Sequence, residues 1–137
     1  ETSGCCGSAA LPDIAALGDL SYYDIKLVDA GPHKRHTGAG NAVILENFAL
    51  LCALPGGADK ITVRVPCIPG INDGADQIAA VARLAREHGV KSVELMPYNA
   101  AADAKYAWLG RPYPLPGLEP RPQAYYDDLN AVIADII

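Results

Sequence analysis

Apolar and polar positions alternate most clearly in residues 20–27, where Tyr23 and Ile25 take turns with Asp24 and Lys26. Successive side chains of a β-strand point to opposite faces of the sheet, so this alternation predicts a half-buried strand. Asp24 and Lys26 then lie on one face, one pleat apart, and the apolar side chains lie on the other.

Two further stretches alternate in the same way. In residues 61–66, Thr62 and Arg64 interrupt a β-branched apolar run, and in residues 92–96 Glu94 does the same. We predict a strand in each stretch, with one apolar face that packs against helices. The opposite faces of the predicted strands together carry charges of both signs.

Apolar positions at helical spacing separate these strands. The predicted helices cover residues 9–17, 42–53, 72 or 73 to 88, and 122 to the end of the chain. Asn72 or Asp73 is predicted to cap the third helix, and Gly89 follows its end. Residues 29–40, with their glycines, proline and histidines, are predicted to form a loop, and the proline-rich residues 98–120 an irregular segment.

Strands that alternate with helices indicate βαβ units and a parallel sheet, and a length of 137 residues predicts one domain, residues 1–137. A closed eight-stranded barrel fills its interior with apolar side chains, whereas one face of each of these strands is polar. A polar interior suits a partial barrel that holds a polar ligand at the carboxyl ends of its strands, where Lys26, Arg64 and the turn at residues 97–99 are expected. A one-sided sheet whose polar face meets water remains the alternative.

Charge and hydropathy narrow the classes of partner. The net charge of −5, without a basic stripe, disfavours binding to nucleic acid or to an anionic membrane. No run of eighteen apolar residues exists, so no membrane-spanning helix is predicted. The four cysteines have no zinc or iron–sulfur spacing and no need of an oxidising compartment, so a cytoplasmic protein is expected. The chain does not begin with Met and is expected to be a fragment of a longer protein.

Three charged residues are candidates for ligand binding. Asp24 and Lys26 could hold the zwitterionic head group of an amino acid, and a plain ion pair at the end of a strand is the equal alternative. Arg64 interrupts an apolar strand and is a ligand-contact candidate, with a pair to Glu94 across the sheet as the alternative.

The histidines and cysteines give weaker signals. His33 and His36 are three apart and are predicted to be solvated, since a metal site would need a third ligand. His88 is predicted to lie on the surface of a helix. Cys52 and Cys67 are predicted to be small buried residues of the core.

Seven short motifs, taken in order, resemble the later part of one enzyme family. They are Glu1-Thr2-Ser3-Gly4; Asp24-Ile25-Lys26; Thr37-Gly38 to Asn41; Ile44-Leu45-Glu46-Asn47; Val63-Arg64-Val65-Pro66 with Ile68-Pro69-Gly70-Ile71-Asn72-Asp73; Glu94-Leu95-Met96-Pro97-Tyr98-Asn99; and Lys105-Tyr106 with Leu109-Gly110 and Tyr113. The family is that of the glycyl-radical-enzyme activating enzymes (pyruvate formate-lyase activating enzyme-like) of the radical SAM superfamily. The resemblance covers nearly the whole chain and implies the C-terminal part of a partial (βα)6 radical SAM (TIM-like) barrel.

The resemblance also implies chemistry. In this family a [4Fe–4S] cluster reduces S-adenosyl-L-methionine (SAM) to a 5′-deoxyadenosyl radical, which takes a hydrogen from a glycine of a large partner, a glycyl radical enzyme. By motif, Glu1 would help to hold the methionine amino group, Lys26 would meet the methionine carboxylate, and Asp24 would lie beside it. Arg64 would lie near the carboxylate or the ribose. Glu1, Thr2 and Asp24 match a monovalent-cation site of such enzymes.

Two departures from the family pattern limit these expectations. Asn99 stands where the family usually has His, and the cluster-binding CxxxCxxC is absent. We therefore expect the chain alone to bind no cluster, to have no radical activity and to bind SAM weakly or not at all. The alternatives are another radical SAM enzyme of the same subfamily and a non-catalytic interaction module of this fold. We also expect self-association through an exposed sheet edge at residues 20–27.

Overall fold

The computed structural model describes residues 1–137, the side chain of Ala102 excepted. In chain order the helices and strands are α1 (Leu11–Leu17), β1 (Ser21–Asp24), α2 (Ala30–Thr37), α3 (Ala42–Ala53), β2 (Ile61–Pro66), α4 (Ala75–Glu87), β3 (Val93–Met96), α5 (Ala102–Trp108) and α6 (Gln123–Ala134). Single 3-10 turns precede α1 and β2, at Ser8–Ala10 and Ala58–Lys60.

The strands form a parallel sheet in the order β1-β2-β3, as predicted. The register aligns the polar positions, because Asp24 lies opposite Arg64 and Arg64 lies opposite Glu94. The carboxyl ends of all three strands therefore meet at one end of the sheet, with charged residues side by side on one face.

The apolar faces of the strands lie in the core, as the alternation predicted. Tyr23, Ile25, Val63 and Val65 are at most 1% exposed. The apolar stripes of α3, α4 and α6 cover these side chains, with Phe48 of α3 fully buried among them. A continuous core on one side of the sheet leaves the polar residues on the other.

The loop predicted for residues 29–40 is wrong, since most of it is helix α2. The Asp29 carboxylate accepts a hydrogen bond from the backbone N–H of Gly31 (2.9 Å) and caps the helix, and Gly38 ends it in the left-handed conformation (φ 83°). This helix has almost no apolar side chains, so it gives no helical period to detect. The sequence therefore contained the capping residues Asp29 and Gly38, but no repeat of apolar residues at helical spacing.

Two more expectations need correction. The irregular segment predicted for residues 98–120 contains α5, a short helix. The cap of α4 is Gly74, with no side-chain hydrogen bond, so neither Asn72 nor Asp73 caps that helix. Both side chains are buried and bonded elsewhere.

The sheet edge at β1 is less exposed than predicted. Thr2 pairs with Tyr23 in a parallel bridge, donating its N–H to the carbonyl of Tyr22 and accepting from the N–H of Asp24 (both 2.9 Å). The first residues of the chain thus add one bridge to the edge strand. Among the described residues, no helix is long and apolar enough to cross a membrane.

Candidate functional site

Four charged side chains meet at the carboxyl end of β1 and β2, and we call Glu1, Asp24, Lys26 and Arg64 the charged quartet. The Arg64 guanidinium donates to Asp24 Oδ1 from Nε (3.2 Å) and from Nη2 (3.0 Å). Nη2 also forms an ion pair with the Glu1 carboxylate. Lys26 Nζ lies 3.7 Å from the other carboxylate oxygen of Asp24, which is beyond hydrogen-bond distance.

The two cations of the charged quartet, Arg64 and Lys26, differ in how far they are buried. The side chains of Arg64 and Asp24 are 12% and 15% exposed, whereas that of Lys26 is 40% exposed. The Arg64 guanidinium also lies 4.9 Å from the centre of the Tyr22 ring, in a cation–π contact. Arg64 is thus held on three sides, while the Lys26 ammonium remains available to a ligand.

The contacts of Arg64 favour the ionised forms of Glu1 and of Arg64 itself. Hydrogen bonding and charge from Arg64 hold the pKa of Glu1 below its ordinary value. The carboxylates of Glu1 and Asp24 in turn raise the pKa of Arg64. Two anions and two cations make the charged quartet itself nearly neutral but strongly polar, which suits a zwitterionic ligand better than a single ion.

The structure tests the two ion pairs that were the alternatives to ligand binding, Arg64 with Glu94 and Asp24 with Lys26. The pair expected between Arg64 and Glu94 does not form among the described residues, because the guanidinium turns towards β1 and bonds to Asp24 and Glu1. The ion pair expected between Asp24 and Lys26 is present but long, since Asp24 is already bonded to Arg64.

The residues matched to a cation site are occupied by other contacts. Thr2 Oγ1 accepts from the N–H of Gly4 (3.0 Å), and Arg64 bridges the carboxylates of Glu1 and Asp24. The guanidinium supplies the positive charge that these two carboxylates need. Binding of a monovalent cation at Glu1, Thr2 and Asp24 therefore stays a prediction.

Asn99 lies beyond the end of β3, apart from these ion pairs. It is exposed, and its side-chain oxygen accepts from the N–H of Ala101 (2.9 Å). No hydrogen bond joins Asn99 to the charged quartet in the part of the chain that the structure describes. Its predicted contact with a ligand stays a prediction.

Sequence reasoning missed the role of Asn72, which is 2% exposed. Its Nδ2 donates to the carbonyls of Lys26 (2.9 Å) and Pro66 (2.8 Å), and its Oδ1 accepts from the N–H of Ile68 (2.6 Å). One amide thus ties the end of β1 to the end of β2 and fixes the backbone of Lys26. The only signal in the sequence was a polar residue inside a Pro-Gly loop.

Two other buried asparagines act in the same way. Asn41 Nδ2 donates to the carbonyl of Leu27 (3.0 Å), just beyond β1. Asn47 Nδ2 donates to the carbonyls of Gly4 (2.8 Å) and Cys6 (2.9 Å). Asn47 stands among apolar residues on the inner face of α3, which was a signal that sequence reasoning did not use. Helix α3 therefore anchors both the first residues of the chain and the end of β1.

Asp73 forms a second set of contacts that hold the loop after β2 in place. Asp73, whose side chain is 3% exposed, accepts from the N–H of Gly70 (2.7 Å) and from Arg121 Nε (2.9 Å). Tyr125 of α6 donates its hydroxyl to the Asp73 carbonyl (2.9 Å). The loop is consequently held against α6 as well as against β1 and β2.

His36 is exposed, as predicted, whereas His33 and His88 differ from their predictions. His33 is 4% exposed and not solvated; its Nδ1 lies 2.9 Å from the Ala39 carbonyl and 3.1 Å from Thr37 Oγ1. His88 is half-buried, and its ring packs edge-on against Phe48. Among the described residues, no group of three or more His, Cys, Asp or Glu side chains could hold a metal ion.

The cysteines divide into two kinds. Cys67 is buried as predicted and Cys52 half-buried, and burial raises the pKa of each thiol to about 11. Cys5 and Cys6 are free and exposed. No three of the described thiols are arranged to hold one metal ion.

The parallel sheet with its polar carboxyl end defines an α/β protein of the partial-barrel class. A solved domain of the pyruvate-formate lyase-activating enzyme from Bacteroides vulgatus has this fold, with a TM-score of 0.73 over 98% of the chain and 73% of that domain, at 17% identity. The predicted fold class is thereby confirmed. No protein-family model matches the chain.

Curated relatives of the chain are activating enzymes of glycyl radical enzymes. An isethionate sulfite-lyase activating enzyme of Nitratidesulfovibrio vulgaris is 46% identical over 80% of the chain and 36% of the relative. The isethionate sulfite-lyase activating enzyme of Desulfovibrio desulfuricans is 39% identical over 100% of the chain and 43% of the relative. An indoleacetate decarboxylase activating enzyme of Tractidigestivibacter scatoligenes is 31% identical over 97% of the chain and 42% of the relative. The chain is homologous to part of these glycyl-radical-enzyme activating enzymes, so the resemblance read from its motifs is confirmed. The chain spans about two fifths of their length.

Proposed function

We propose that this chain is the C-terminal part of an activating enzyme that generates a glycyl radical on a partner enzyme, with SAM as cofactor. The observation that carries the proposal is the charged quartet at the carboxyl end of a parallel sheet, in a chain homologous to such activating enzymes. The site residues proposed are Glu1, Asp24, Lys26, Arg64 and Asn99.

The charged quartet fits the methionine part of SAM. The half-exposed Lys26 ammonium is free to meet the methionine carboxylate, and Asp24, 3.7 Å away, is positioned to accept from the amino group. Arg64 orients Asp24 and Glu1, because its Nη2 contacts both carboxylates. When bound in the longer protein, SAM would supply a carbon-centred radical after receiving one electron from an iron–sulfur cluster held outside the described residues.

The described residues do not fit a [4Fe–4S] cluster. Such a cluster needs a set of converging thiolates, whereas Cys67 is buried, Cys52 is half-buried and both thiols have raised pKa values. A cluster would have to be held by other parts of the longer protein. The chain alone is therefore proposed to be inactive and to bind SAM weakly.

The partner is proposed by class alone. Relatives named for isethionate sulfite-lyase, indoleacetate decarboxylase and 4-hydroxyphenylacetate decarboxylase are all similar to this chain. The partner would be a glycyl radical enzyme of this kind. We also propose a cytoplasmic location, because the exposed Cys5 and Cys6 are free thiols.

A SAM-binding measurement tests the site. We expect the 137-residue chain to bind SAM at millimolar concentration in ligand-observed NMR, and Lys26→Ala to weaken binding about tenfold, because one charge-assisted hydrogen bond is lost. Lys91→Ala is the matched control, since Lys91 is 81% exposed and pairs with Asp59, away from the charged quartet. Equal binding by Lys26→Ala and the unmodified chain, or no binding by either, would contradict the proposed site.

A further inference from the structure

Two adjacent cysteines lie at an open cleft that the proposed function does not use. Cys5 and Cys6 are both exposed and free, and we call them the vicinal thiols. The cleft has a volume of about 680 Å³ and lies between these residues and α3, where Val43, Glu46 and Leu50 line it. A cleft of this size leaves room for a small molecule to reach either cysteine.

The backbone that carries the vicinal thiols is held in place by one buried side chain. Asn47 is 3% exposed, and its Nδ2 donates to the carbonyls of Gly4 (2.8 Å) and Cys6 (2.9 Å). The N–H of Cys6 also donates to the carbonyl of Gly4 (3.0 Å), so Cys5 lies at the centre of a tight turn. Both thiols therefore extend from a turn whose position is fixed against α3.

The other two cysteines are poor partners for the vicinal thiols. Cys67 is buried and Cys52 is half-buried, and burial raises the pKa of each thiol to about 11. The thiolate is the form that attacks a disulfide, so these two cysteines react slowly near neutral pH. A mixed disulfide formed at Cys5 or Cys6 therefore meets its neighbour in the sequence before any other described thiol.

The spacing of adjacent residues makes a disulfide between them easy to reduce. Consecutive Cα atoms are about 3.8 Å apart, whereas most disulfides join Cα atoms about 4.4 to 6.8 Å apart. The shorter spacing strains the bond, and strained, exposed disulfides are the labile ones. The surroundings of Gly7, which follows the pair, are open, so the backbone on that side can adjust when the ring closes.

We propose that the vicinal thiols are a reversible modification site, at which a small dialkyl disulfide oxidises them to a Cys5–Cys6 disulfide. One thiolate attacks the oxidant, forms a mixed disulfide and releases one molecule of thiol. The second thiolate attacks the sulfur of the first cysteine, forms the Cys5–Cys6 bond and releases the second molecule of thiol. The chain loses two electrons and two protons, and the oxidant gains them. The site is independent of the proposed function, because it uses neither the charged quartet nor SAM.

Mass spectrometry after exposure to bis(2-hydroxyethyl) disulfide in mildly alkaline buffer tests the proposal. We expect the 137-residue chain to lose the mass of two hydrogen atoms, with the new bond in the peptide that contains both vicinal thiols. Excess thiol reductant should restore the original mass. Cys5→Ser and Cys6→Ser should each keep a hydroxyethylthio adduct instead, since no neighbouring thiol is left to displace it. Cys52→Ser is the matched control and should behave like the unmodified chain.

Several outcomes would overturn the proposal. Lasting adducts on both vicinal thiols of the unmodified chain would show two independent cysteines. A bond to Cys52, or a bond between two copies of the chain on a non-reducing gel, would show a different partner. A Cys5–Cys6 bond that excess thiol leaves intact would contradict reversibility, and so would a chain that does not react while a short cysteine peptide does. The serine variants change only exposed positions, and circular dichroism verifies that they fold.

Discussion

Gly4 illustrates how one buried side chain determines the residue opposite it. Tyr23 is fully buried, and its hydroxyl donates to the carbonyl of Ile44 (2.6 Å). A Cβ atom at Gly4 would lie 1.6 Å from that hydroxyl oxygen, and Gly4 has φ +66°. Both the contact and the backbone conformation require glycine at this position. The Gly of the first motif therefore has a structural reason, which is to let the chain pass over Tyr23 towards Glu1 and Thr2.

Replacing Gly4 should destabilise the chain. We expect Gly4→Ala to lower the free energy of unfolding by about 3 kcal/mol, from the left-handed backbone and the overlap with Tyr23. Gly7→Ala is the control, since a Cβ at Gly7 meets nothing within 4 Å. Urea denaturation of both variants measures the difference. Equal stabilities of the two variants would show that the overlap is relieved at little cost.

Among the connecting loops, the segment after β2 depends most on a single side chain. Asn72 satisfies three backbone groups, at Lys26, Pro66 and Ile68, and all three bonds lie within 2.9 Å. Buried backbone groups that lose their partners cost free energy, so this amide stabilises the ends of two strands at once. The hydrogen bond from Asn72 to the Lys26 carbonyl therefore helps to fix the position of Lys26 in the proposed site, just beyond the end of β1.

Substitution of Asn72 tests this dependence. We expect Asn72→Ala to lower the free energy of unfolding by about 3 kcal/mol, because two carbonyls and one N–H lose their partner in a buried place. Asn130→Ala, at an exposed position of α6, should change it by less than about 0.5 kcal/mol. Thermal unfolding followed by circular dichroism gives both values. A loss in Asn72→Ala no larger than in Asn130→Ala would contradict the bracing role.

For the molecule as a whole, three of the eight large apolar side chains that are exposed among the described residues lie just before the first strand. Ile14, Leu17 and Leu20 are 63%, 89% and 55% exposed, at the amino end of β1. Thr2 covers only part of the edge of that strand. A partly paired edge beside an apolar patch favours contact between two copies of the chain.

Self-association should therefore depend on this patch. We expect the chain to associate at high concentration, and Leu17→Lys to weaken association about tenfold, because it removes an exposed apolar side chain that contact with a second copy would bury and adds a charge. Trp108→Lys is the control, because Trp108 is 82% exposed but lies beyond the carboxyl end of β3. Sedimentation velocity over a range of concentrations measures both. A chain that stays monomeric throughout, or an equal effect of the two substitutions, would contradict the prediction.

The strands and their faces could be predicted because the alternation of side chains is a local property. Asp24 and Lys26 share a face in any strand, whatever the strand pairs with. Helix α2 escaped prediction because it is polar throughout and is stabilised by its caps at Asp29 and Gly38. Its inner side carries His33, whose burial also depends on bonds to residues later in the chain.

The motifs of the sequence were sufficient to indicate the fold and the resemblance to activating enzymes, because each motif is a local pattern of strand, turn and charged residues. The choice of partners within the charged quartet required the folded molecule. Arg64 and Asp24 are 40 residues apart in the chain and meet only because β1 and β2 are paired in this register. The same holds for Asn72 and Lys26, which are 46 residues apart. Contacts between distant residues depend on how the strands and loops pack, and no local pattern encodes which of several nearby charges or carbonyls each side chain will reach.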